Sequence, residues 1–136
     1  MKYIRAIIVE DDKFCLELLM LSLKKYCPLI HVIGDASCRD MAIELINSRK
    51  PDLVFFDVNL KDGDSFEVLD SVHYKEFKRI FISSAIQEAF RAVQYNAVDF
   101  LLKPLDPLLL VKAINRAFDN SNVEPYFNKV NHGIAS

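Results

Sequence analysis

Polar side chains able to do chemistry follow directly on four short apolar runs in this chain. Glu10, Asp11 and Asp12 follow Ala6-Ile7-Ile8-Val9, and Asp57 follows Leu53-Val54-Phe55-Phe56. Ser83 and Ser84 close Arg79-Ile80-Phe81-Ile82, and Lys103 closes Asp99-Phe100-Leu101-Leu102. Carboxylates held together repel, and each raises the proton affinity of the others. A hard divalent cation relieves this, and a few protein oxygens with open water positions suit Mg²⁺. A cation beside a carboxylate, a lysine and a hydroxyl can receive a phosphoryl group. The metal and Lys103 neutralise its equatorial oxygens, and the Ser84 hydroxyl donates to one of them. Asp57 is then the in-line nucleophile, because a carboxylate needs no deprotonation to attack phosphorus. The chemistry this pattern points to is an aspartyl phosphate.

Taken singly, each residue has an ordinary alternative. Asp57 reads equally as a helix cap or surface acid, Glu10-Asp11-Asp12 as a solvated turn, and Lys103 as a strand-end lysine. Ser83 and Ser84 are not separable by spacing. What removes the ambiguity is convergence, since the elements that carry these residues alternate strand and helix. Strands are expected over 6–9, 31–36, 53–57, 79–82 and 99–102, with helices over 13–26, from Ser37 or Cys38 to Arg49, and over 65–72, 87–95 and 108–120. Five strands alternating with five helices give an α/β chain with a doubly wound parallel sheet, whose strands all end on one edge. Ligand sites of open α/β sheets lie at that carboxyl edge.

Local chemistry places several boundaries. Cys27-Pro28 halts the first helix, Asp64 or Ser65 caps the third, Asn96 ends the fourth in a left-handed turn, and Pro107 opens the last. The first helix carries two apolar stripes, Phe14, Leu18 and Leu21 beside Leu16, Met20 and Leu23. That is more than one core face uses. The sequence favours excess core over a docking surface here.

Composition narrows the class. With 136 residues, 51% apolar and 26% charged, the chain holds one two-sided core. A net charge of −2 argues against nucleic-acid binding by the domain itself. Cys15, Cys27 and Cys38 lack ligand or framework spacing and read as buried or half-buried free thiols in a reducing compartment. No leader peptide or membrane-length apolar stretch is evident, so a cytoplasmic protein without membrane contact is expected. Residues 121–136 are polar and weakly patterned, as in a C-terminal extension or the start of a linker.

The residues quoted above also carry a family likeness. Ile8-Val9-Glu10-Asp11-Asp12, Phe56-Asp57-Val58-Asn59-Leu60, Phe81-Ile82-Ser83-Ser84-Ala85 and Asp99-Phe100-Leu101-Leu102-Lys103-Pro104 occur in the order and spacing of a known domain. Over residues 3–120 the chain resembles the receiver domain of two-component response regulators. Its 96–104 run looks most like receivers attached to LytTR-type DNA-binding domains. The resemblance implies a flavodoxin-like, CheY-like (βα)5 sheet of strand order 2-1-3-4-5, with a receiver over 1–120. It implies Asp57 as phosphoacceptor from a sensor histidine kinase or histidine phosphotransfer protein. Asp11 becomes the direct Mg²⁺ ligand, Glu10 the holder of a metal-bound water, and Asn59 a backbone-carbonyl ligand. Ser84 takes the switch hydroxyl, Lys103 the phosphate-binding lysine and Phe100 the aromatic switch, while Asp12 simply opens the first helix.

Such a domain is not a turnover enzyme; it catalyses its own phosphorylation and slow dephosphorylation. Its output would be a phosphorylation-dependent homodimer or a partner contact on a face holding Phe90, Val93 and Tyr95, at least one of which must pack in the core. A DNA-binding effector beyond residue 136 is compatible with this. Lys61 replaces a common proline and Ser65 a usual glycine, which bears on loop shape. Ile86 is apolar where many members carry a polar residue that places the hydrolytic water. Two rivals remain. A haloacid-dehalogenase-like phosphohydrolase needs a second acid two residues after the nucleophile, where this chain has Asn59. A phosphate-independent interaction module would have no need of the intact acids, hydroxyl and lysine.

Overall fold

Apolar runs too short for helices and too continuous for half-exposed strands pair here as a parallel sheet buried on both faces. The computed structural model describes residues 2–118. The chain runs β1 (Ile4–Val9), α1 (Lys13–Tyr26), β2 (Ile30–Ala36), α2 (Arg39–Arg49), β3 (Leu53–Phe56), α3 (Ser65–Ser71), β4 (Lys78–Ser83), α4 (Ala89–Gln94), β5 (Asp99–Leu102) and α5 (Pro107–Ala117). The strands lie side by side in the order β2-β1-β3-β4-β5, all parallel. This is the doubly wound architecture expected, in the expected order. The last two residues of the predicted final helix, and the predicted 121–136 extension, lie outside the described residues.

Alternation along each strand sorts the core into two layers. Ile8, Leu53, Phe55, Ile80, Ile82 and Leu101 face α1 and α5, packing on Leu19, Leu23, Leu110 and Ile114. Ile7, Val9, Val54, Phe56 and Phe81 face the other way, onto Ala42 and Ile46 of α2, Phe66 and Leu69 of α3 and Ala92 of α4. Every residue of β3 is buried. A buried side chain of this size contributes roughly 1.5–3 kcal/mol, so the central strand is the most firmly held part of the sheet.

The caps follow the expected chemistry. Asp12 accepts from the Cys15 amide at the start of α1. Asp64 accepts from Glu67 N–H in a reciprocal capping box that opens α3. Asn96 sits at φ 65° after α4, in the left-handed region, and Pro107 occupies the first turn of α5.

Three expectations need correction. The predicted fourth helix is a 3₁₀ turn, Ile86–Glu88, followed by only six α-helical residues. The stretch 60–64, which the sequence suggests is a loop, forms with Asn59 a short antiparallel hairpin pairing Asn59 with Asp64 and Leu60 with Gly63. The first helix is not excess core. Leu19 and Leu23, one turn apart, are buried and Leu16 packs beside them, whereas Phe14 is 72% and Leu21 65% exposed. A helix lying on a sheet presents one arc to it, and the stripe holding Phe14 and Leu21 falls outside that arc. The three thiols are free, Cys27 buried and Cys15 and Cys38 half-buried. Burial pushes the Cys27 thiol up to about 12.

Candidate phosphoryl-acceptor site

The sheet's hydrogen-bond ladder runs one residue past the strands and pins the backbone of the site. Glu10 N–H donates to Ala36 O at 2.9 Å, Asp57 N–H to Val9 O at 2.9 Å, and Lys103 N–H to Ser83 O at 3.1 Å. Three residues from distant parts of the chain are therefore held on one carboxyl edge, Glu10 and Asp57 at the ends of adjacent strands and Lys103 two strands further along. The Lys103–Pro104 peptide bond that follows is cis.

Their side chains converge. Lys103 Nζ lies 2.8 Å from Glu10 Oε1 and 2.9 Å from Asp57 Oδ2, bridging the two acids. The second Asp57 oxygen accepts from Val58 N–H at 2.7 Å, and the second Glu10 oxygen from Asp12 N–H at 3.1 Å. Glu10, Asp11 and Asp57 each offer a carboxylate oxygen, all within 4.8 Å of one another. Burial pushes the Glu10 carboxyl up, to about 7; the Lys103 hydrogen bond opposes the rise and the charge of Asp57 adds to it. Burial also acts against the Lys103 charge, but its hydrogen bonds to Glu10 and Asp57 outweigh this and hold it above the usual lysine value. Three acids cluster here and the lysine bridges only two of them, an excess of hard negative oxygens that a small divalent cation fits.

The other named residues sit differently. Ser83 is buried and its Oγ accepts from Ala85 N–H at 3.2 Å. Ser84 is exposed, and its hydroxyl is the one left to turn toward a ligand. No contact joins it to Asp57 among the described residues. Asn59 is exposed at the first position of the hairpin, two residues past Asp57. Phe100 is half-buried, its ring stacked on Phe81 at 6.0 Å. Phe81 stacks in turn on Phe66 at 5.4 Å, and Phe66 meets Tyr95 at 5.0 Å. Tyr95 is thus the core residue among the three face candidates, while Phe90 and Val93 stand 75% and 63% exposed.

Sequence reasoning missed Ser65. It is fully buried, its hydroxyl donates to the carbonyl of Asp57, and its amide donates to Val58 O at 2.9 Å. A residue that looked like a departure in loop shape secures the turn after the acceptor. Its type and its place beside a capping Asp gave no sign of this, because the bond depends on how the turn folds back.

A five-stranded, doubly wound sheet with an acid cluster and a lysine on its carboxyl edge defines a flavodoxin-like, CheY-like protein. Residues 6–115 match the response regulator receiver domain family, and the chain belongs to it. An uncharacterised response regulatory protein of Vibrio parahaemolyticus is 33% identical over 112 residues, covering 82% of this chain and 46% of that protein. The sensory transduction protein LytT of Bacillus anthracis is 28% identical, covering 83% and 46%. The nitrate/nitrite response regulator NarL of Escherichia coli K12 is 32% identical, covering 82% and 54%. The chain thus spans about half the length of the curated relatives it matches. Among solved structures, the signal receiver domain of a Mycobacterium tuberculosis NarL superposes with a TM-score of 0.74 at 24% identity, over 84% of this chain and 94% of that one. The response regulatory domain of mrkE from Klebsiella pneumoniae gives 0.76 at 19%, over 85% and 95%.

Receiver domains are modules of phosphorelay signalling, not turnover enzymes; they bind Mg²⁺ in general and imply a histidine kinase partner. Among the described residues no helix is long and apolar enough to cross a membrane.

Proposed function

We propose that this domain accepts a phosphoryl group on Asp57 from a sensor histidine kinase or histidine phosphotransfer protein, in a Mg²⁺-dependent reaction in the cytoplasm. The observation that carries the reading is Lys103 Nζ bridging Glu10 and Asp57 at 2.8 and 2.9 Å beside a third acid. Asp11 and Asp57 would hold the cation directly, Glu10 would hold it through a water, and Asn59 would offer its backbone carbonyl. The metal supplies charge neutralisation for the phosphoryl oxygens. A carboxylate oxygen of Asp57 forms the new O–P bond as the P–N bond to the donor imidazole breaks. Lys103 is freed from Asp57 to pair with a phosphoryl oxygen. Intact mass after incubation with Mg²⁺ and acetyl phosphate should show one phosphoryl adduct. Its absence would overturn the reading and put the phosphate-independent module ahead of it.

Downstream, Ser84 moves toward the phosphoryl group and Phe100 turns further in against Phe81, shifting the population toward an active state. Moving a mostly inactive population across takes several kcal/mol of differential contact. The face that changes is built from α4, β5 and α5, where Phe90, Val93, Leu102 and Leu109 are exposed. It serves a homodimer or a partner. Phe100→Ala should keep the adduct but lose phosphorylation-dependent association, read by light scattering on a sizing column. Unchanged association would remove the aromatic part of the switch.

Ile86 stands 58% exposed and has no polar group to orient a water at the phosphoryl group. Self-dephosphorylation should accordingly be slow, and Ile86→Gln should accelerate it. Adduct remaining against time in Mg²⁺ measures this; rapid loss from the wild type would refute it.

A further inference from the structure

The helix α2 begins without help from its own N-cap. Cys38 stands at that position and its side chain makes no capping bond, leaving the first amides of the helix in need of acceptors. The acceptor comes from elsewhere in the chain. Asp62 takes the Arg39 amide on Oδ1 at 2.5 Å and the Asp40 amide on Oδ2 at 3.4 Å. These are the first two amides of the helix, where an anion is also favoured by the helix dipole. The Arg39 amide bond, with that from Asp40, holds the Asp62 carboxyl below the usual range.

Asp62 lies at the tip of the hairpin whose first strand is Asn59–Leu60 and whose second is Gly63–Asp64. The grip is reinforced beside it. The Arg39 side chain lies so close over Gly63 that a Cβ there would come within 3.3 Å of Arg39 Cδ and run into Glu67 Oε1. That same Glu67 oxygen is held by the Asp64 amide at 2.8 Å. At its root the hairpin is tied by Ser65 to the carbonyl of Asp57. The segment that leaves the acceptor is therefore fixed at both ends, and the outer anchor is a carboxylate seated on a helix in another part of the fold.

We infer that Asp62 is a positioning residue: by capping α2 from the hairpin tip, it sets where the Asn59 backbone stands relative to the acid cluster. This rests on the reading of Asn59 as a ligand of the Mg²⁺ site. An interaction that orients a ligand without touching the metal commonly changes metal affinity by about 10–100-fold.

The test is calorimetric titration with Mg²⁺ alone on wild type, Asp62→Ala and Asp62→Asn, with amide hydrogen exchange on each. Asp62→Ala should bind Mg²⁺ about tenfold more weakly. Its Arg39 and Asp40 amides should exchange faster, while those of β1 and β3 keep their protection. Asp62→Asn, which keeps an oxygen acceptor and loses the charge, should recover most of the affinity. Wild-type affinity in Asp62→Ala would overturn the proposal. So would equal weakening in Asp62→Asn and Asp62→Ala, since Asp62 would then act only as a distant charge. If the wild type itself takes up no Mg²⁺, the metal-site reading fails and the positioning role with it. That result differs plainly from an unchanged variant.

Discussion

Asp57→Asn should give no phosphoryl adduct under conditions that modify the wild type fully, and should fold more stably without metal. Loss of the adduct follows because a neutral amide is a poor nucleophile toward phosphorus, while the replacement is nearly isosteric. The backbone at position 57 is held by its amide on Val9 and by the Ser65 hydroxyl on its carbonyl, neither of which the change touches. The gain in stability comes from charge. Burial is the main cause that pushes the Glu10 carboxyl up to about 7 and the charge of Asp57 adds to it; removing that charge relieves the added repulsion. A tenfold change in proton affinity corresponds to about 1.4 kcal/mol; the Asp57 charge is the smaller part of the rise, so a gain below about 1 kcal/mol is expected in denaturant unfolding with a chelator present. With Mg²⁺ the gain should shrink, because the wild type then has its cation. A retained adduct would move the acceptor to another acid and dissolve the assignment.

Lys103→Ala should do damage of two kinds. It removes the cation that meets the transferring oxygens, and losing one such preorganised partner typically costs 10²–10³ in rate, about 3–4 kcal/mol of transition-state stabilisation. It also leaves Glu10 and Asp57 without their shared counter-charge. Glu10 is 7% exposed and Asp57 12%, so water compensates poorly. Removing one partner of a fully buried pair costs about 3–5 kcal/mol. Partial exposure of the lysine reduces that to about 1–3 kcal/mol for the metal-free fold. Mg²⁺ should restore most of the stability and little of the rate. Chemical denaturation with and without Mg²⁺, beside phosphorylation time courses, separates the two effects. Equal rates in variant and wild type would show that Lys103 serves the fold alone.

How much of this could be read beforehand depends on the range of the interaction. Leu53 to Asp57 announced a buried central strand by composition alone. Asn96 and Pro107 announced their turns because each residue's own dihedral preferences act locally. Asp57 and Lys103 were legible as a pair once five parallel strands were granted, because the ladder must bring their ends together. What stayed hidden depends on the third dimension. Asp62 and Ser65 look like ordinary loop polars until the hairpin folds back, and their partners lie 23 and 8 residues away. Phe14 and Leu21 looked like core because periodicity says which residues share a stripe, not which stripe meets the sheet. The break between Ile86–Glu88 and α4 left no mark either, since the residues 87–95 are tolerable helix formers throughout.

The two-layer core has an evolutionary corollary. Because side chains alternate across the sheet, β5 places Leu101 in the layer with α1 and α5 and Phe100 in the layer with α2, α3 and α4. The aromatic relay from Phe100 through Phe81 to Phe66 and Tyr95 thus runs on one side only. Substitutions under α1 alter packing that this relay does not touch. A lineage can therefore change the outward stripe of α1, where Phe14 and Leu21 are exposed, without touching this relay, and change the outward residues of α4, Phe90 and Val93, without touching the packing under α1. The polypeptide behaves as two semi-independent surfaces that share one acid-lined edge.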